Sequence, residues 1–387
     1  MTSLIPAPGA FSLGVILLIS VIWEAFESVI LPRRVTRKFR FARVFYRYSW
    51  MIWQFIIGLV PSRKSREALL GFYGPSSLLV LVALWAVTLV LGFGLMQYGA
   101  GSAVVMTGGQ PSFLTDLYLS GTTFFTLGLG DVLPRSGFAR ALVVAEAGLG
   151  FGFLAAMIGY LPFIYGSFSK REVNISLLDS RAGTPPTAGE LLRRHSYPQG
   201  QTDLRILLKD WELWSAELME SHLSYPVLAF FRSQHDNQSW VASLTAILDT
   251  CALLKTRVDV DGSYEHQADL TFAIARHAVV DLSQVFGTSP KALPHDRLTP
   301  ENLRRIRDML APTCLKLQDG EQADGRLTEL RKMYEPYIYA LASYLHQTLP
   351  PWIPQKKGKD NWQTTAWGKA SGLLDEGVAS VVVDEHF

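Results

Sequence analysis

Between Leu70 and Thr115 the chain carries no Asp, Glu, Lys or Arg. A stretch of that length cannot cover itself with solvated side chains, so it belongs in a bilayer. There the absence of water obliges every backbone N–H and C=O to be paired within a helix or a closed barrel. The Leu- and Val-rich spelling of Gly71 to Gly99 favours the helix. Overall, 49% of residues are hydrophobic and 18% charged, against about 25% charge in an ordinary soluble domain. The excess is uneven, because the last half reads as a normally charged helical protein. The chain is therefore an all-α membrane protein in front with an aqueous portion behind.

Two more spans follow from the same reasoning. Phe11–Leu31 is apolar over about 20 residues, long enough for a bilayer core of about 30 Å. No Lys or Arg precedes it, no small-residue cleavage pattern follows, and it holds Glu24 and Glu27, so it is expected to be a retained span rather than a leader. Its two carboxylates are expected at headgroup level or against a neighbouring helix. Phe138–Phe168 is the third span, followed at once by Lys170 and Arg171. Tyr48–Val60 is too short to cross and fits a helix lying in the interface.

Arg33 to Arg47 form a basic run without any acid, and Arg63, Lys64 and Arg66 form a second cluster. A basic, aromatic-interleaved run can bind nucleic acid, but one placed directly beside a span is expected to meet anionic lipid headgroups instead. No nucleic-acid partner is therefore expected. Positive residues then flank the start of the second span and the end of the third. This places residues 100–137 and the N-terminus outside and the rear half in the cytoplasm, in a multi-pass plasma (inner) membrane protein. No span carries a ladder of Arg or Lys at every third position, so a voltage-sensing helix is not expected.

Residues 111–134 read PSFLTDLYLSGTTFFTLGLGDVLP. Pro111-Ser112 starts a helix, with Ser112 as N-cap and Asp116 near the first turn, where the helix dipole favours an acid. The helix is too short to cross, and it runs into a Thr followed by alternating glycines. Irregular backbone at membrane depth is tolerated only where protein encloses it around a hydrated path.

The run Thr123-Phe124-Phe125-Thr126-Leu127-Gly128-Leu129-Gly130-Asp131 matches the T-x-x-T-x-G-x-G-D pattern of potassium channels, and Val132-Leu133-Pro134 continues the common G-D-x-x-P ending. In this respect residues 70–168 resemble the two-helix pore unit of the potassium-channel pore-loop family. The resemblance implies outer helix, pore helix, selectivity filter and inner helix. It also implies a homotetramer, K+ as the permeant ion, and ion-binding oxygens from Thr126, Leu127, Gly128, Leu129 and Gly130. The chemistry suits those residue types. Stacked carbonyls and a Thr hydroxyl can replace a cation's water shell, Gly128 and Gly130 permit positive φ, and Asp131 would form an acidic outer mouth.

The sequence departs from the family at Leu127 and Leu129, which stand where Val or Ile and Tyr or Phe are usual. Tyr118 and Leu119 stand where the pore helix often has a Trp pair, and this predicts a brace shifted toward apolar packing. A weakly selective monovalent cation channel is the alternative this opens; a non-conducting membrane sensor or scaffold is another. Thr122 replaces the common acid behind the filter. Thr122 and Thr123 are expected to support the filter together with Glu146, a carboxylate inside the inner helix whose expected partner is Thr122 or another pore-helix hydroxyl. By resemblance Gly150 takes the gating-hinge position, and Pro162 is expected to bend the inner helix near its cytoplasmic end.

The expected organisation is an N-terminal span, basic cluster and interfacial helix over 1–67, a pore domain over 68–168 and a linker over 169–200. A helical cytosolic domain over 201–355 and a polar tail over 356–387 complete it. Apolar spacing predicts cytosolic helices near 202–221, 239–257, 266–286, 300–318 and 325–348, with Trp211, Trp214 and Trp240 in the core. His235-Asp236 and His277 with Asp281 read as ordinary histidines. Cys251 and Cys314 lack metal-ligand spacing. No nucleophile arrangement and no G-x-G-x-x-G after a strand occurs, so no enzyme, no resident metal and no cofactor beyond K+ is expected. The sequence does not name a cytosolic ligand.

Overall fold

The computed structural model describes residues 7–31, 41–106, 110–197, 199–234, 238–256, 263–313 and 315–354. Most of the basic run (Arg33–Arg40), His235-Asp236, Cys314 and the tail beyond residue 354 lie outside the described residues. The chain divides into two compact units, Met1–Gly166 and Ser167–Phe387.

The first unit holds α1 (Ala7–Ala25), closed by a π-helical turn (Phe26–Ile30), then α2 (Phe41–Gly58), α3 (Arg63–Gly99), α4 (Phe113–Phe124) and the start of α5 (Gly137–Ala182). Among the described residues three helical stretches are long and apolar enough to cross a membrane: Pro8–Val29, Arg63–Gly99 and Gly137–Ala182. In lipid, helices gain little from hydrophobic exclusion and associate through close packing at small residues. Gly14 and Gly92 provide this between α1 and α3, since a β-carbon on Gly14 would lie 2.5 Å from the Gly92 carbonyl oxygen.

Glu24 of α1 caps α2, accepting from Phe41 N at 3.2 Å and Ala42 N at 3.0 Å. A carboxylate at an N-terminus pairs orphan amides and opposes the positive end of the helix dipole. The Glu24 expectation thus resolves to a neighbouring helix. The α2 helix then lies against α3, with Trp50 4.6 Å from the Tyr73 ring and Trp53 Nε1 donating to Leu69 O at 3.1 Å. Met51, Ile52 and Phe55 on its other side are exposed, an apolar face suited to acyl chains.

Two boundaries need correction. Helix α2 starts at Phe41, seven residues before Tyr48, because Glu24 supplies a cap that hydropathy cannot register. Helix α3 starts at Arg63, behind Ser62 as N-cap, so the second basic cluster sits in opening helical turns rather than before the helix. Among the described residues the all-α architecture has one exception, a two-stranded antiparallel patch. In it β1 (Val104–Met106) pairs with β2 (Val132–Pro134), Val105 opposite Leu133.

The second unit takes the end of α5, then α6 (Ala188–Arg194), α7 (Gly200–Ser224), a 3-10 turn (Pro226–Phe230), α8 (Trp240–Leu254), α9 (Ser263–Phe286), α10 (Pro300–Leu310), α11 (Glu321–Lys332) and α12 (Glu335–Tyr344). Every residue of α8 is buried, as expected of a helix apolar on all sides. Trp211, Trp214 and Trp240 are in the core, the first two with ring centroids 4.4 Å apart. Two polar knots hold the bundle. Arg297 pairs with Asp249 at 2.6 Å and Glu335 at 2.9 Å. Arg171 donates to Leu228 O at 2.9 Å and Phe231 O at 2.7 Å.

The linker expected over 169–200 is mostly helix: α5 runs unbroken through Pro162 to Ala182, and α6 is buried over Ala188–Leu192. Apolar character marks where a helix leaves lipid, not where it ends. Helix 300–318 stops at Leu310, since Pro312 cannot donate back into the helix. Helix 325–348 is two helices, because Pro336 disfavours helical backbone at the residue before it and suits a first turn. His277 and Asp281 form a 3.2 Å surface pair with His277 well exposed, and Cys251 is a buried thiol whose pKa burial raises.

Candidate functional site

Ser112 caps α4, its hydroxyl accepting from Thr115 N at 3.4 Å while Ser112 N donates to Thr115 Oγ1 at 3.3 Å. This reciprocal box fixes the start of the short helix. Asp116, in the first turn, is fully buried and accepts from the Ser102 hydroxyl. Leu119 packs with Val104 of β1 and Val132 of β2, so the strand pair and α4 share one small core beside the glycine-rich segment.

Beyond Phe124 the backbone alternates. Thr126 (φ +58°), Gly128 (φ +55°) and Gly130 (φ +79°) are left-handed, with Leu127 and Leu129 between them. Positive φ at every second residue turns successive carbonyls toward one side of the strand. The glycines accept this freely, whereas Thr126 does so at a steric cost. Thr122 O accepts from Leu127 N at 2.7 Å and Thr123 O from Thr126 N at 2.9 Å, so both threonines tie down the segment through their carbonyls. In the isolated chain Leu127 and Leu129 are more than 60% exposed, and Asp131 is exposed as well.

Glu146 is fully buried in α5, and its partner is Ser120, not Thr122. The Ser120 hydroxyl bonds Glu146 Oε1 and also lies 2.7 Å from Val90 O of α3. The Thr122 hydroxyl turns back to Leu119 O at 3.0 Å. One serine thereby ties α3, α4 and α5 together. Beside the brace expected to be apolar, the Tyr118 hydroxyl lies near the Asp131 carboxylate. Leu119 has gone to the apolar side. Gly150 marks a close approach: a β-carbon there would lie 2.3 Å from Phe124 O, whereas Gly148, Gly152 and Gly159 have open space.

Residues 78–162 match a family model described as "Ion channel". This segment is an ion-channel domain of the pore-loop family. Its bounds take in most of α3, all of α4, the alternating segment and α5 as far as Pro162. Across the wider chain, the "Uncharacterized membrane protein YdjJ" of Bacillus subtilis (strain 168) is 24% identical over 183 residues, covering 46% of this chain and 52% of that protein. The chain thus matches about half the length of that relative. No solved structure matches. The alternative expected for Glu146, another pore-helix hydroxyl, is met by Ser120, which the sequence did not single out; its spacing of four from Asp116 puts both on one face of α4.

Proposed function

We propose that four copies of this chain assemble around the segment Thr126–Asp131 to form a potassium-selective channel. The observation that carries the reading is the alternation of positive φ at Thr126, Gly128 and Gly130 in a segment left exposed on one chain and lying inside the ion-channel domain. One such strand offers oxygens on one side only, and a cation stripped of water needs them on all sides. Fourfold cyclic symmetry closes the ring and would cover Leu127 and Leu129. In this reading carbonyls of Thr126, Leu127, Gly128, Leu129 and Gly130 hold K+, and Asp131 gathers cations at the mouth. Thr122, Thr123 and Glu146 support the filter. Bending near Gly150 and Pro162 gates the exit.

The same reading orients the protein. The N-terminus and β1–β2 lie outside, the second unit is cytoplasmic, and Arg33–Arg47 meet anionic headgroups of the plasma membrane. Potassium flux into proteoliposomes tests conduction. The proposal expects flux that Gly128→Ala abolishes, while folded tetramers without flux would favour a scaffold. A second reading, a pore that also passes sodium, is favoured by Leu129 standing where an aromatic brace is usual.

A further inference from the structure

The last turn of α5, helix α6 and the start of α7 line a half-open pocket of about 290 Å³ within the second unit. Its wall includes Arg181, Arg194, His195, Tyr197 and Asp203. Ligand pockets typically run from roughly 300 to 1,000 Å³, so this one is small and suits a compact molecule.

The wall's polar groups are unequally used. Arg194 is spent on Glu190 Oε1 at 2.6 Å and Ser180 O at 2.7 Å. Arg193 shares the same Glu190 carboxylate, through Oε2 at 2.8 Å. The Tyr197 hydroxyl donates to Asp203 Oδ2 at 2.6 Å. Arg181, by contrast, makes no hydrogen bond or ion pair among the described residues. His195 is buried, and its Nδ1 donates to Leu191 O at 2.8 Å. That bond places the ring proton on Nδ1 and leaves Nε2 as an acceptor. Burial, with the Arg181 charge nearby, lowers the imidazole pKa and keeps the ring neutral near pH 7.

One uncommitted guanidinium beside two acceptors, His195 Nε2 and the Asp203 carboxylate, defines a ligand. It must be anionic, and it must also carry its own hydrogen-bond donor. A protonated phosphate group meets both demands, while sulfate at neutral pH supplies charge without a donor. Arginine's planar fork suits phosphate oxygens.

We propose that this cavity is a regulatory site for a protonated phosphate group, free or as a small monoester. Anionic oxygens lie on Arg181, and a P–OH donates to His195 Nε2 or to the Asp203 carboxylate. Ser180 and Arg181 belong to the last turn of α5, whose first part lies in the ion-channel domain. A ligand seated here ties the end of α5 to α6 and α7. Its bearing on the pore rests on the channel reading, but binding itself does not.

The test is titration calorimetry on the full chain in detergent at constant ionic strength and pH 7, with inorganic phosphate, ribose 5-phosphate and sulfate as probes. Phosphate is expected to bind at least tenfold more tightly than sulfate. Arg181→Gln is expected to weaken phosphate at least tenfold, and it leaves folding intact because this side chain has no partner to lose. Arg205→Gln, an exposed substitution on α7, is expected to change nothing. Ribose 5-phosphate binding at least tenfold more tightly than phosphate would identify an ester as the ligand; equal or weaker binding would identify free phosphate. Sulfate binding as well as phosphate, an Arg181→Gln isotherm equal to wild type, or no heat from either phosphate probe would overturn the proposal. None of these outcomes depends on whether current flows.

Discussion

Gly150 of α5 meets the carbonyl oxygen of Phe124 at the end of α4 so closely that a β-carbon on Gly150 would stand 2.3 Å from that oxygen. Real β-carbons do not approach oxygens to this distance, so any side chain must separate the two helices. Gly150→Ala is expected to cut potassium flux by tenfold or more and to lower the melting temperature. Gly152→Ala, which meets nothing within 4 Å, is expected to melt like the parent. Equal behaviour of the two variants in the same flux and melting assays would remove the close-packing role of Gly150.

Ser120 and Glu146 give a second prediction, on stability. Removing Ser120 strands the Glu146 carboxyl in a buried site, at a cost of about 1–3 kcal/mol, while removing Glu146 leaves Ser120 on Val90 O but opens a void beside α4. Ser120→Ala and Glu146→Ala should each destabilise the folded protein, and the double variant should lose less than the sum. Denaturant titration of the four proteins checks this. Strict additivity would mean the two side chains act independently.

The Tyr118 hydroxyl lies near the Asp131 carboxylate at the end of the alternating segment. A polar contact at this point steadies a filter that must hold a ring of oxygens at fixed spacing. Tyr118→Phe is expected to lower the potassium-to-sodium permeability ratio by up to about tenfold while conduction persists. Bi-ionic reversal potentials give the ratio directly. An unchanged ratio would leave the Tyr118–Asp131 contact without influence on selectivity.

In the second unit Arg171 Nη1 lies 3.2 Å from His222 Nε2, so the imidazole accepts and is neutral. Burial, then the Arg171 charge, holds its pKa well below the usual histidine range. The unfolded chain therefore binds this proton more readily, and linkage makes stability fall as pH drops below about 6.5. The slope for one proton approaches about 1.4 kcal/mol per pH unit. Melting curves of the full chain between pH 7.5 and 5 should show this loss, and His222→Gln should flatten it. A parent protein equally stable across the range would contradict the assignment.

The parts of the fold legible in the sequence were those written locally. Ser112 behind Pro111 marked α4, and Gly128 and Gly130 marked left-handed backbone, since both depend on near neighbours in the chain; positive φ at Thr126 had no such signal. The partner of Glu146 was not legible, because choosing Ser120 over Thr122 depends on how α4 is rotated against α5. Nor was the true end of α5, for the hydropathy that drops after Phe168 reports the end of lipid while the helix continues to Ala182. The cavity at Arg181 and His195 was not legible because it depends on how three consecutive helices fold back on one another.

Bi-ionic current recording on the purified full chain in planar bilayers tests the central claim most directly. With potassium on one side and sodium on the other, at equal concentration, the account predicts cation current reversing far from zero, toward the potassium equilibrium potential. Gly128→Ala should abolish that current. A reversal potential near zero would contradict potassium selectivity, and absence of current from folded tetramers would contradict conduction through residues 126–131 altogether.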